Sequence, residues 1–197
     1  VVGTTDQANA LLGEARARPV LRSGARPGDQ LFVTGSLGGA ALGLRLLAGA
    51  RTLPGGETAR RCWRRPVARL QAGRALAAAR VATAMIDLSD GLLVDAGRLC
   101  DASGCAAVLH ADQLPLAPPL RGLDPVAARE LAVGGGEDYE LLFAVPPRRI
   151  AGLAAAALGC RVTHIGEIVR GRGVTLVDRE GRRLPHRGRA GHEHFRA

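Results

Sequence analysis

TAMIDLSDGLLVDAGRLC, residues 83–100, passes from an apolar run to a helical pattern within a few residues. The run ends at Asp87. Beyond Gly91 the apolar positions Leu92, Leu93, Ala96, Leu99 and Cys100 recur at helical spacing, and Ser103-Gly104 supplies a stop. The pattern predicts a buried strand over 81–86 and a helix beginning near Asp90, with Asp87, Ser89 and Asp90 at the junction. A hydroxyl or carboxylate at a helix start satisfies orphan backbone N–H groups and is worth about 1 kcal/mol, and Ser89 or Asp90 would serve. Capping does not account for Asp87. At the mouth of a buried strand an unpaired carboxylate carries a heavy desolvation cost, so something should meet its charge. A magnesium ion would, since it takes one or two carboxylates together with phosphate oxygens and water. On the residues alone, capping and metal or phosphate work both stay open.

The same alternation runs outward in both directions. Upstream, RSGARPGDQLFVTGSLGGAALGLRLLAG (residues 22–49) reads as a turn at Pro27-Gly28-Asp29, a strand over 30–34, a tight turn and a helix over 37–48. Its glycines do not follow G-x-G-x-x-G, so a dinucleotide-binding reading has little support. A loop over 51–57 leads to a helix-prone segment over 58–79 with a break expected near Pro66. Downstream come a strand over 105–109, a Pro-rich loop over 114–125 expected on the surface, and a weak helix over 126–133. GGGEDYELLFAVPP (residues 134–147) then places a glycine loop before a strand over 139–145. A helix over 150–158 and strands over 162–168 and 174–178 complete the pattern. Strands alternating with helices, without an internal repeat, predict an α/β or α+β sandwich with a mixed sheet.

Composition bounds the function. With 197 residues, 47% of them hydrophobic, and a mean hydropathy of +0.07, the chain can form a well-cored domain. Apolar stretches stop well short of the roughly 18 residues a membrane span needs, and no signal-peptide pattern opens the sequence, so a cytoplasmic protein without membrane partners is expected. Cys62, Cys100, Cys105 and Cys160 form no C-x-x-C pair and are read as reduced thiols. The formal charge of +9 invites a nucleic-acid reading. All 27 basic residues are Arg, however, alongside abundant Ala and Gly, as a GC-rich coding sequence produces whatever the function. The cluster Arg60, Arg61, Arg64 and Arg65 around Trp63 is read as a solvated helix face, and no nucleic-acid partner is expected. The Gly134–Gly136 run permits positive φ and close approach of a ligand, with Glu137 and Asp138 able to meet a cation; a turn with acidic decoration is the plainer alternative. His192 and His194 near the end make only a weak metal claim.

RSGARPGDQLFVTGSLGGAALGL, DLSDGL after an apolar strand, GGGEDYELLF and a terminal G-x-x-HF, taken together and in this chain order, resemble the thiamine-monophosphate kinase family. That family belongs to the ATP-dependent superfamily of aminoimidazole ribonucleotide synthetase and selenophosphate synthetase. The resemblance implies a three-layer α/β sandwich with a mixed sheet, like the superfamily's C-terminal domain. It also implies transfer of the γ-phosphoryl group of ATP to thiamine monophosphate, giving thiamine diphosphate, with several Mg2+ ions: a phosphotransferase whose acceptor is itself a phosphate. By motif match Asp87 and Asp90 would be metal ligands, Ser89 and Arg22 ATP contacts, and Glu137, Asp138 and His192 substrate contacts. The family's tail position is usually aromatic, and His192 departs from it. Residues 1–19, with Asp6 in VVGTTD, are expected to be a remnant or linker from an N-terminal ATP-binding domain, and 20–197 the C-terminal α/β domain. On that reading the chain alone should be inactive, and a longer form would be a homodimer. Another superfamily enzyme with a different acceptor, and a non-catalytic thiamine-phosphate-binding domain, are the competing readings.

Overall fold

The computed structural model describes residues 18–49 and 55–185. In chain order these form β1 (Gln30–Thr34), α1 (Gly39–Leu47), α2 (Gly56–Arg64), α3 (Leu70–Ala79), β2 (Ala84–Asp87), α4 (Leu92–Ser103), β3 (Ala106–His110), α5 (Pro125–Gly134), β4 (Leu141–Val145), α6 (Ile150–Ala155), β5 (Val162–Val169) and β6 (Gly173–Val177). The strands make one six-stranded sheet in the order β2-β4-β1-β5-β3-β6. Every pairing is antiparallel except β3 with β6. The sheet is therefore mixed, as the alternating pattern predicts.

Strand alternation sorts side chains to two covered faces. In β1, Leu31 and Val33 enter one core while Phe32 enters another; in β4, Leu142 and Ala144 go with the first, Phe143 and Val145 with the second. Leu92, Ala96 and Leu99 of α4, with Ala132 and Val133 of α5, cover the first face. Ala72 and Leu76 of α3 and Leu153 of α6 cover the second, where Phe32 and Phe143 stack at 5.8 Å. Burial of central strands on both sides makes the three layers and explains why their sequences are apolar throughout. A smaller core joins Leu42 and Leu46 of α1, Ala59 of α2, and Ala128 and Leu131 of α5.

Several boundaries move for local reasons. The helix expected over 37–48 starts at Gly39, because Gly38 is left-handed and Leu37 bridges to Leu116. The helix expected near Asp90 starts at Leu92, after Gly91 with φ 119°. Residues 65–69 separate α2 from α3 around Pro66, the expected break. The strand expected over 139–145 begins only at Leu141, since Tyr139 has φ 50°. The Pro-rich loop lies on the surface only in part: Pro118, Arg121, Gly122, Asp124 and Pro125 are exposed, but Leu114, Ala117, Pro119 and Leu120 are buried, and a 3-10 turn over Pro118–Gly122 seats Leu120 in the smaller core.

Candidate active site

Two of the motif segments meet at one end of the sheet. The backbone N–H groups of Glu137 and Tyr139 donate to the carbonyls of Ser89 and Leu88, each at 2.9 Å, and Leu88 N–H donates to the Glu140 carbonyl at 2.8 Å. DLSDG and GGGEDYE are thus one interlocked unit. The glycines serve this packing: a Cβ on Gly136 would lie 2.5 Å from the Ser89 carbonyl oxygen, and one on Gly135 2.3 Å from the Ala41 side chain. The expectation that the glycines supply positive φ is corrected. Gly134, Gly135 and Gly136 do not have it, whereas Glu137 and Tyr139 do, at 69° and 50°. Left-handed backbone at two non-glycine residues is a strained arrangement of the kind that concentrates at functional sites.

Asp87 stands at the end of β2 with its side chain exposed. The premise that it is buried therefore fails, and desolvation does not demand a partner. It makes no hydrogen bond or ion pair with the described residues and lines an open cavity of about 390 Å3 together with Arg22, Ser89, Asp95 and Arg98. Ser89 keeps its hydroxyl free of bonds to the described residues and faces the same space. Asp90 differs: its carboxylate is bonded by the guanidinium of Arg98, which also donates to Asp95 at 2.8 Å. Neither Ser89 nor Asp90 caps α4. Asp95, fully buried in the first turn, reaches back and accepts from the N–H groups of Asp90 and Gly91 at 2.9 and 3.1 Å, which fixes the loop. Burial pushes its carboxyl above the ordinary range, opposed by these N–H groups and by Arg98.

The acidic segment divides its side chains between two sides. Glu137 and Tyr139 face the Asp87–Asp90 side: the Tyr139 hydroxyl bonds the Glu137 carboxylate, and desolvation, then Glu137, Asp87 and Asp90, push its phenol up. Asp138 and Glu140 face the other way, into a second cavity of about 250 Å3 that also takes in Ser36, Arg61, Cys62 and Arg69. The oxygens of Asp138 accept the N–H groups of Gly38 at 2.6 Å and Ala40 at 3.1 Å, so it caps α1, and burial raises its carboxyl to about 7. A carboxyl engaged in this way holds the start of α1 in place. Glu140, 5% exposed, accepts two bonds from Arg69 and one from Thr34, all at 2.6 Å. His192 and Asp6 lie outside the described residues.

Sequence reasoning missed Asp95, Arg98, Glu140, Arg69 and Tyr139. Asp95 carried a signal: it is an acid set among the apolar and small residues of LLVDAG, a position where a buried carboxyl needs hydrogen-bond partners. Among the described residues no group of three His, Cys, Asp or Glu is arranged to hold a metal ion. The four cysteines are free thiols, Cys100 and Cys105 buried and Cys62 and Cys160 partly so. No helix among the described residues is long and apolar enough to cross a membrane.

Residues 26–179 match the family described as AIR synthase related protein, C-terminal domain. A thiamine-monophosphate kinase of Caulobacter vibrioides is 39% identical over 164 residues, 79% of this chain and 46% of the relative. The crystal structure of thiamine-monophosphate kinase from Stenotrophomonas maltophilia K279a superposes with a TM-score of 0.72 at 39% identity, covering 80% of this chain and 52% of that one. A structure described as AaThiL complexed with AMPPCP and TMP superposes at 0.71 with 34% identity, covering 89% and 54%. The chain spans about half the length of the curated relatives it matches.

Proposed function

This chain belongs to the AIR synthase-related family through its C-terminal domain, and from that membership and its kinase relatives we propose that it is part of a thiamine-monophosphate kinase. The reaction is the attack of a phosphate oxygen of thiamine monophosphate on the γ-phosphorus of ATP, with ADP leaving and thiamine diphosphate formed. The observation that carries the reading is the convergence of Arg22, Asp87 and Ser89 on one open cavity, at a strand-to-helix junction braced by the GGGEDYE segment. A solved relative described as holding AMPPCP and TMP supports it.

Such a transfer needs positioning and charge neutralisation more than covalent help from the protein. Arg22 offers a guanidinium fork suited to phosphate oxygens, and Ser89 a hydroxyl able to donate to one. Glu137, held by Tyr139, supplies the negative charge that offsets a thiazolium ring. Asp95 and Asp138 fix the two loops through their hydrogen bonds to backbone N–H groups. The donor set fits Mg2+ in part: Asp87 is exposed and available, whereas Asp90 as it stands is neutralised by Arg98. Bound by Asp87 along with phosphate oxygens and water, Mg2+ would supply charge neutralisation between the two polyanions. The described residues form one wall of such a site, so these residues alone should not turn over. A cytoplasmic homodimer is the expected working form.

The test measures thiamine diphosphate formation from thiamine monophosphate and Mg-ATP by a protein that contains this domain. Asp87→Asn should lower turnover by at least about 100-fold, the weight of an electrostatic contact made in the transition state, with an unchanged circular-dichroism spectrum. Near-normal turnover in that variant would remove Asp87 from the mechanism. Turnover with other phosphorylated acceptors but not with thiamine monophosphate would assign the chain to a different enzyme of the superfamily.

A further inference from the structure

At the opposite end of the sheet lies a cleft that this chemistry does not use. In β4, Leu141 is at the candidate active site and Val145 at the far end, about 14 Å away at the usual rise per strand residue. There the turn before β1 and the loop after β4 enclose a cavity of about 390 Å3, walled by Pro27, Pro146 and Pro147 and edged by Arg26, Arg148 and Arg149. None of these three arginines has a carboxylate partner among the described residues. Other described arginines, such as Arg45, Arg121 and Arg161, also have none, so what sets these three apart is their place around one cavity. Arg149 donates to the Arg80 carbonyl at 3.0 Å, which orients its guanidinium and leaves its charge uncompensated. The floor is Asp29, buried, whose carboxylate accepts the Thr83 hydroxyl at 2.7 Å and the Arg26 N–H at 3.1 Å. Three arginines, all exposed, thus line one cavity with a single carboxylate that is already hydrogen-bonded.

Like charges gathered around a concavity repel one another and focus a positive potential into it. The arrangement gains most from an anion that several forks can share, and guanidinium geometry matches phosphate oxygens. The volume lies within the range of small-molecule sites, and three proline rings give the cleft rigid apolar walls. We propose that the cleft between the 26–29 turn and the 146–149 loop is a second binding site, taking a small phosphate-bearing metabolite.

Isothermal titration of the chain with inorganic diphosphate tests this. The expected result is saturable one-to-one binding, weakened at least tenfold in R26Q/R148Q and less than threefold in R22Q. Arg26 and Arg148 make no side-chain bond to the described residues, so folding should survive. R26K/R148K, which keeps charge but loses the forks, should bind at least threefold more weakly, and it carries the test if the Gln pair does not fold. Absence of saturable binding overturns the proposal, as does binding lost in R22Q and kept in R26Q/R148Q, or affinity unchanged in the Lys pair. Displacement of diphosphate by duplex DNA with affinity rising with duplex length would overturn it too, assigning the cleft to nucleic acid.

Discussion

Removing Arg69 should unbalance a buried acid that, among the described residues, takes as many hydrogen bonds as Asp95. Glu140 has a side chain only 7% exposed and takes three short bonds, two from the Arg69 guanidinium and one from the Thr34 hydroxyl. Arg69→Ala strips two of the three and leaves a carboxylate answered by one hydroxyl. Breaking a buried pair from one side typically costs about 3–5 kcal/mol. The Arg69 side chain is 23% exposed, so water can enter the space it vacates, and the low end, about 3 kcal/mol, is expected. Against a typical total of about 5–15 kcal/mol the variant should still fold. For a chain of this size the loss corresponds to a fall of roughly 6–12 °C in Tm. Urea denaturation of wild type, Arg69→Ala, Glu140→Gln and the double variant gives both the cost and the coupling. Because the amide of Glu140→Gln needs no counter-charge, the second substitution should cost far less once the first is present, with a coupling of about 2 kcal/mol. An Arg69→Ala cost below about 1 kcal/mol, or additivity of the two substitutions, would refute the view that this pair balances a buried charge.

Two further outcomes follow from the same end of the sheet. Asp138, raised to about 7 from its ordinary acidic value, binds a proton more tightly in the folded chain than in the unfolded one. Its contribution is therefore fully present below about pH 4 and is lost as pH rises through about 7; Asp138→Asn should flatten that slope in urea midpoints measured from pH 4 to 8. Gly136→Ala would place a Cβ 2.5 Å from the Ser89 carbonyl oxygen, a backbone atom with little freedom to move. A loss of about 1–3 kcal/mol is expected, read as a fall in Tm, and a neutral result would show that the two loops are not interlocked.

The strands and helices were legible in the sequence because both faces of the sheet are covered. Burial on two sides writes central strands as apolar runs such as LFV and LLFAV, and turn residues bound them. That Arg22, Asp87 and Ser89 belong to one site was implied by the family resemblance, and they line one cavity. Partnership was not. The junction offers Asp90, Asp95 and Arg98 within nine residues, and periodicity does not say that the helix would begin at Leu92 and turn Arg98 back onto Asp90. Nor does GGGEDYE reveal that its acids would separate by parity. Nor does it reveal that Glu137 and Tyr139 would take left-handed φ, which propensity argues against in residues of their size.

Parity also explains why a single short segment can serve recognition and architecture together. Glu137 and Tyr139 project toward the exposed Asp87, while Asp138 and Glu140 project toward α1 and Arg69. The inward pair fixes the backbone from which the outward pair extends, and the glycines before it let that backbone lie directly against the Ser89 carbonyl. Rigidity at the site is then supplied by carboxylates whose hydrogen bonds are internal, and beside the outward Glu137 the Asp87 carboxylate, the Ser89 hydroxyl and the Arg22 guanidinium line the open cavity. A preorganised site of this kind separates two classes of variant. Changes at Asp138 or Glu140 should lower stability and activity together, whereas changes at Asp87 should lower activity with the melting curve unmoved.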